Sequence, residues 1–238
     1  MVLIDAKNIS LSYEGVGNVV EDLSFCVEKG DYLCIVGENG SGKSTLVKAL
    51  TGLMRTSSGH LHFLSGLTPS KIGYLPQASG SVRDFPASVY EVVMSGFAGK
   101  KGLLGFYSKN DKNTALSNMS LLGIAELKNK SFCSLSGGQQ QRTLIARALC
   151  AKSEVLLLDE PVNNLDPKAK EETYSLLYHL NREHKITIIM VTHDIPASLK
   201  YSNKMLHLAG KPLYFGNTKD YTLYRQDLHT ERGEKENA

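Results

Sequence analysis

The sequence predicts an α/β fold: a parallel sheet core, preceded by antiparallel strands and interrupted by a helical insertion. Three observations predict it. Short strand-like runs at the N-terminus, LIDAKNISLSY, VVEDLSFCV and YLCIV, are separated by turns at Gly15, Gly17 and Gly30. Two unbroken apolar runs, VLLLD at 155–159 and ITIIMV at 186–191, have the composition of strands buried on both faces. Between these regions, apolar residues recur at helical spacing from Ser88 to Gly123 and from Gly137 to Ala151.

Taken in order, the first two runs read as antiparallel strands and YLCIV as a buried strand. That strand leads directly into GENGSGKST, residues 37–45, followed by an amphipathic run with Leu46, Val47 and Leu50. The pattern G-x-x-x-x-G-K-[ST] thus stands in the strand, loop and helix context that gives it meaning. Gly37, Gly40 and Gly42 let the backbone wrap closely around a polyphosphate, with Glu38, Asn39 and Ser41 between them, so that N–H groups converge at a helix N-terminus. Lys43 supplies a cation to the outer phosphates, the Ser44 hydroxyl can ligate Mg²⁺, and Thr45 closes the phosphate-binding run.

The helical insertion follows, with Val89, Val92, Val93, Leu116, Met119 and Leu122 on its apolar face. It closes on SLSGGQQQR, residues 134–142, where Ser136 can cap a helix beginning near Gly137. Bare glycine amides at a positive helix end, at Gly137 and Gly138 before Gln139, offer a second anion site. Beyond VLLLD a helix is expected, with Asp166 as N-cap, Pro167 in its first turn and Tyr174, Leu177 and Leu180 along it. Strand, helix and strand then form a parallel crossover unit.

Length and composition read as those of an ordinary globular protein. The 238 residues are 42% hydrophobic, enough for one large domain or two small ones. The net charge of +3, from 27 basic and 24 acidic residues, is spread along the chain, so nothing demands nucleic acid. Asp5 and Lys7 interrupt any signal-peptide core, and no run approaches the roughly 18 apolar residues of a membrane span. The chain is therefore expected to be neither secreted nor membrane-spanning. Cys26, Cys34, Cys133 and Cys150 show no C-x-x-C spacing, which points to reduced thiols instead of a metal centre.

Candidate chemistry gathers at strand ends. Asp159 and Glu160 stand at the carboxyl end of VLLLD, the edge where open parallel sheets bind ligands. Asp159 is placed to hold Mg²⁺ and Glu160 to orient or deprotonate an attacking water; taken alone, the pair reads equally as a strand end and a helix cap. His193 ends the next strand at the same edge, and Gln77 follows a further short strand as a possible neutral ligand to Mg²⁺ or water. Tyr13 offers a ring to stack on adenine, or is a half-buried tyrosine of the N-terminal sheet.

The order GENGSGKST, Gln77, LSGGQ, VLLLDEP, NNLD and His193 resembles the ATP-binding cassette (ABC) transporter ATPases over nearly the whole chain. The resemblance implies a P-loop NTPase (RecA-like) core with an N-terminal antiparallel β subdomain and an inserted α-helical subdomain. It divides a single domain, 1–238, into core and β subdomain at 1–78 and 152–226, helical subdomain at 79–151 and a polar tail at 227–238. It implies ATP and Mg²⁺ as ligands, Tyr13 as the adenine-stacking ring and Gln77 as the sensor toward the helical subdomain. Glu160 becomes the catalytic carboxylate and His193 the phosphate-contacting switch. Where the family often has SALD, this chain has NNLD and keeps Asp166. In the family, the LSGGQ of one subunit closes over ATP held by the P-loop of another, so a second copy of the chain is an implied partner.

The resemblance further implies an energising subunit at the cytoplasmic face of a bacterial membrane, bound to permease subunits and indirectly to an extracytoplasmic metal-binding protein. The stretch at 73–111 is similar to the zinc and manganese importer branch, zinc above all, with iron or a chelate as alternatives. Two other classes fit less well. Chromosome-associated members interpose a long coiled coil between P-loop and LSGGQ, and this sequence has no sustained heptads there; ribosome-acting members usually carry two cassettes. A nucleotide kinase or GTPase leaves LSGGQ unexplained.

Overall fold

The computed structural model describes residues 1–15, 17–77, 86–100, 106–151 and 154–224. The expected polar tail and the expected boundary at residue 79 lie outside them. Nine strands and six helices follow one another among the described residues, with short 3-10 turns between some of them.

Strands β1 (Val2–Tyr13) and β2 (Gly17–Glu28) pair antiparallel, and β4 (Ser58–Phe63) joins the other edge of β1, giving the order β2-β1-β4. The second sheet has the order β5-β6-β7-β3-β8-β9, built from β5 (Ile72–Leu75), β6 (Val155–Asp159), β7 (Thr187–Val191), β3 (Tyr32–Val36), β8 (Lys204–Ala209) and β9 (Lys211–Asn217). Its first five strands are parallel and β9 returns antiparallel. Both antiparallel strands and all three apolar runs named from sequence are present. The strands β4, β8 and β9 carry no comparable sequence signal, because histidines, lysines and glycines break their apolar patterns.

Every residue of β3, β6 and β7 is buried, as unbroken apolar runs require. Their side chains alternate between two cores. Cys34, Leu156, Leu158, Ile188 and Met190 pack with the helices, whereas Leu33, Ile35, Leu157 and Ile189 pack with the antiparallel sheet and α1 (Lys43–Leu50). Truncating one of these central side chains, such as Leu157, to Ala costs about 2–5 kcal/mol.

The helical insertion is less continuous than its sequence pattern. It contains α2 (Val89–Met94), α3 (Lys109–Leu121) and α4 (Gly137–Leu149), of which α2 and α3 begin on Ser capping boxes, Ser88 with Glu91 and Ser108 with Asp111. Val89, Val92, Val93, Met119 and Leu122 are buried as expected, but Leu116 is 38% exposed. At Gly96, a Cβ would stand 2.1 Å from the carbonyl oxygen of Arg147, so this glycine lets the chain after α2 lie directly on the end of α4.

Between β6 and β7 runs α5 (Pro167–His184), capped by the Asp166 carboxylate accepting the Ala169 N–H at 2.9 Å. Tyr174, Leu177 and Leu180 are buried along it, completing the expected crossover. A shorter helix, α6 (Ile195–Tyr201), leads from β7 to β8. Among the described residues no helix is long and apolar enough to cross a membrane. None of the four cysteines is in a disulfide; burial pushes the Cys34 thiol up to about 12.

Candidate functional site

The phosphate-loop motif occupies the turn between β3 and α1. Gly37, at φ +155°, has no room for a side chain: a Cβ would lie 2.2 Å from the Leu208 carbonyl oxygen and 2.6 Å from Ser41 Oγ. Gly42, the residue before α1, has φ +97° and would drive a Cβ to 2.4 Å from Val20 Cγ2. The loop is thus clamped between β8 and β2. A third tie comes from Gly210, whose N–H donates to the Ser41 carbonyl at 3.2 Å.

Inside the loop, Lys43 is buried and its Nζ donates to the carbonyls of Gly37 and Glu38, each at 2.7 Å, with Ser41 Oγ at 3.5 Å. Burial pulls its ammonium below the usual lysine range, and the carboxylates of Glu160 and Asp159 oppose that shift. Ser44 is exposed one residue into α1, and Thr45 is buried behind it.

At the end of β6 the Asp159 carboxyl is buried and held above its ordinary value, first by burial and then by the charge of Glu160, while Lys43 acts in the opposite sense. Glu160 sits in the left-handed region at φ +50°, with its N–H donating to the Val191 carbonyl at 2.9 Å. A non-glycine residue held there costs on the order of 1–2 kcal/mol. That conformation turns the Glu160 side chain toward His193, whose Nδ1 lies 3.0 Å and 3.1 Å from its two oxygens.

Lys43, Asp159 and Glu160 meet in a cleft of ≈ 190 Å³ at the carboxyl edge of the sheet, while His193 stands behind Glu160 and is not among its lining residues. Asn39, Gly40, Gly42, Lys43, Ser44 and Thr45 line it from the loop, and Gln77, Asp159 and Glu160 from the ends of β5 and β6. Val19 of β2 and Val191 of β7 complete it. Val19 carries no motif, and only the packing of β2 against the loop reveals it. The Ser44 hydroxyl, the Gln77 amide oxygen and the Asp159 carboxylate are all hard oxygen donors, a set that fits Mg²⁺. Tyr13 is not among the lining residues. It stands at the end of β1 beside α1, where Lys48 Nζ donates to its hydroxyl at 3.0 Å and lies 5.2 Å from its ring centroid, lowering its pKa.

The run 134–142 opens a separate cleft. Ser136 caps α4: its Oγ accepts the Gln139 N–H at 3.4 Å, and Gln139 Oε1 accepts the Ser136 N–H at 3.2 Å. The glycines bring this helix end against α5, since a Cβ on Gly137 would stand 3.3 Å from Leu165 and one on Gly138 would stand 3.4 Å from the Ala169 Cβ. A cleft of ≈ 330 Å³ lies there, lined by Ser136, Gly138, Gln139 and Asp166. Arg142, Lys168 and Glu172 line it as well, and Arg142 spans α4 and α5 through a 2.8 Å ion pair with Glu172. Lys168 and Glu172 had no sequence signal, because only the approach of α4 to α5 brings them to the site. The two clefts share no lining residue.

A family model described as ABC transporter matches residues 20–163, and a model for an AAA domain matches residues 128–199. The zinc uptake system ATP-binding protein of Listeria innocua is 34% identical over 235 residues, covering 96% of this chain and 91% of that protein. The manganese transport system ATP-binding protein of Bacillus subtilis is 33% identical over 223 residues, 92% of this chain and 88% of its own. Among solved structures, CbiO1 of Clostridium perfringens, part of the ABC transporter complex CbiONQ, superposes with a TM-score of 0.82 at 27% identity. It covers 96% of this chain and 94% of that one. The dimeric structure of a bacterial ABC transporter cassette superposes with a TM-score of 0.71 at 26% identity, over 91% of this chain and 99% of that one. With a clamped phosphate loop facing Asp159 and Glu160, and a capped LSGGQ helix on α5, this chain belongs to the ABC transporter family as one of its ATP-binding ATPase cassettes.

Proposed function

We propose that the chain hydrolyses ATP to energise import of a divalent metal ion through a membrane permease, with zinc as the cargo. The observation that carries the reading is the cleft in which Lys43 and Ser44 face Gln77, Asp159 and Glu160. The cargo rests on the relatives: zinc in the Listeria innocua protein and in the zinc transport system ATP-binding protein of Streptococcus pneumoniae, 34% identical over 212 residues. Manganese is the second reading, supported by the Bacillus subtilis relative.

In this reading the amides of residues 37–45, from Gly37 through Glu38, Ser41 and Thr45, receive the phosphates, and Lys43 neutralises the outer ones. When bound, Mg²⁺ supplies positive charge to the β- and γ-phosphate oxygens, and Ser44, Gln77 and Asp159 are the residues that would hold it. Glu160 orients the attacking water and accepts its proton as the water oxygen bonds to the γ-phosphorus and the bridging oxygen leaves with ADP. His193 fixes the Glu160 carboxylate through Nδ1 and keeps Nε2 for the phosphate. Tyr13, at the end of β1, supplies an aromatic face for adenine.

Ser136, Gly137, Gly138, Gln139 and Asp166 complete a site in a second copy of the chain. Their cleft has helix-end amides but no loop to wrap a phosphate, so it offers half of what a nucleotide needs. Closure of two copies over ATP is a population shift, driven by contacts made only when nucleotide bridges both. Residues 79–151 form the subdomain that carries this motion to a permease, with the cassette peripheral at the cytoplasmic face of the membrane.

The test is Glu160→Gln. It should retain ATP binding, lower turnover by about 10²-fold or more and accumulate as an ATP-bound dimer in size-exclusion chromatography. Turnover at the wild-type rate would remove Glu160 from its role. Growth of a deletion strain under zinc limitation and under manganese limitation separates the two cargoes.

A further inference from the structure

We propose that His60 and His62, on the exposed edge strand of the antiparallel sheet, form a bidentate site for a borderline divalent transition-metal ion of the zinc class. From His60 to Phe63, β4 alternates: Leu61 and Phe63 pack toward the core, so His60 and His62 share the solvent face. Their rings lie nearly parallel, with an interplanar angle of 18° and centroids 5.6 Å apart. Two imidazoles bound tetrahedrally through bonds of roughly 2.0–2.1 Å have centroids about 5.2 Å apart, a separation this pair reaches once the exposed rings turn about their side-chain bonds to aim one nitrogen each at the ion.

The backbone anchors the strand that carries this pair. Immediately before His60, Gly59 has φ +72°, and a Cβ there would lie 2.2 Å from the Asn8 carbonyl oxygen, pressing β4 onto an irregularity of β1 between Lys7 and Ser10. In the register, His62 faces Asp5 and His60 faces Lys7 across β1, and Asp5 in turn faces Cys26 of β2. The Asp5 carboxylate is paired with Lys7 Nζ at 3.3 Å, so the two charges beside the imidazoles balance and the ring nitrogens carry the binding. No hydrogen bond or ion pair to a described residue engages either ring. Among the described residues no three His, Cys, Asp or Glu side chains converge on one point, so water completes the coordination. A second histidine pair, His179 and His184 on α5, is differently built: its rings are at 65°, and His179 Nδ1 is taken by Glu183 at 2.9 Å.

The site stands apart from the nucleotide cleft, so its test is independent of the metal-import reading. Nucleotide-free full-length chain is titrated with zinc chloride by calorimetry, beside His60→Ala, His62→Ala, the double variant and a His179→Ala/His184→Ala control. One ion per chain is expected in the wild type and in the α5 control, at least tenfold weaker binding in each single β4 variant and none in the double variant. Unchanged melting temperatures confirm that the exposed substitutions leave the fold intact. Absence of zinc binding by the wild type, binding retained by the β4 double variant, or loss of binding in the α5 control would each overturn the proposal. The Glu160→Gln chain should bind zinc as the wild type does, which keeps this test apart from that of the ATPase.

Discussion

The two clefts of this molecule are built from opposite materials. At residues 37–45 the glycines are compelled by clashes, since Gly37 and Gly42 stand where a Cβ would meet the Leu208 carbonyl or Val20 within 2.4 Å. Buried charge faces them, with Lys43 against Asp159 and Glu160. At residues 136–139 the corresponding distances for Gly137 and Gly138 are 3.3 Å and 3.4 Å, and Ser136 is exposed. The first cleft is finished within one chain. The second presents a helix end with amides but no wrapping loop, as the proposed site shared between two chains requires.

The largest effect that can break this contrast is on turnover. Lys43→Ala should lose nucleotide binding, whereas Ser136→Arg should keep it and lose turnover by about 10²-fold or more, measured by ATP binding and phosphate release. An equimolar mixture of the two variants contains pairs with one intact composite site and should recover part of the activity. Recovery to the full wild-type rate, or none at all, would defeat the shared-site reading.

Stability comes next. Gly37→Ala imposes a disfavoured φ and a backbone overlap and should cost about 2–5 kcal/mol. Gly138→Ala meets only ordinary contact on a helix and should be neutral or stabilising by up to about 1 kcal/mol, because alanine favours the helix. Chemical denaturation of both variants checks the difference, and equal costs would mean that the second cleft is as tightly packed as the first.

Buried charge gives a smaller, pH-dependent effect. Asp159 titrates above its ordinary value near 3.8 in the folded chain, so its contribution to stability is fully present below that value. It is lost as pH rises through the folded pKa. At neutral pH the ionised carboxylate therefore works against folding, and Asp159→Asn should raise the melting temperature of the nucleotide-free chain while weakening Mg²⁺-dependent nucleotide binding. The gain should vanish in acid. The smallest effect belongs to Arg142→Ala, which removes a partly exposed ion pair with Glu172 worth about 0.2–1 kcal/mol and loosens α4 from α5.

Much of this architecture was legible because local chemistry carried it. Unbroken apolar runs identified β3, β6 and β7, and Asp166 with Pro167 announced the start of α5. The phosphate loop was readable because lysine, serine and three glycines at fixed spacing have few other uses. The structure brings Gln77, Asp159 and Glu160 to that loop and His193 to Glu160, as their strand-end positions suggested; it leaves Tyr13 beside α1, off the lining of the cleft. The illegible parts have separate causes. The edge strands β4 and β9 bury only one face, so their composition resembles that of loops, and the exposure of Leu116 depends on neighbours remote in sequence.

By itself, then, the sequence determined the central strands, the start of α5, the phosphate loop and the family, because each is written in contiguous residues. Only the tertiary structure decided that Glu160 adopts φ +50° to meet His193, that Val19 walls the cleft, and that His60 and His62 stack on an open edge. It also decided that the LSGGQ helix opens onto a cleft of its own, with α5 as the other wall. Those facts depend on which distant segments are pressed together, and burial of the two cores settles that for the whole chain at once.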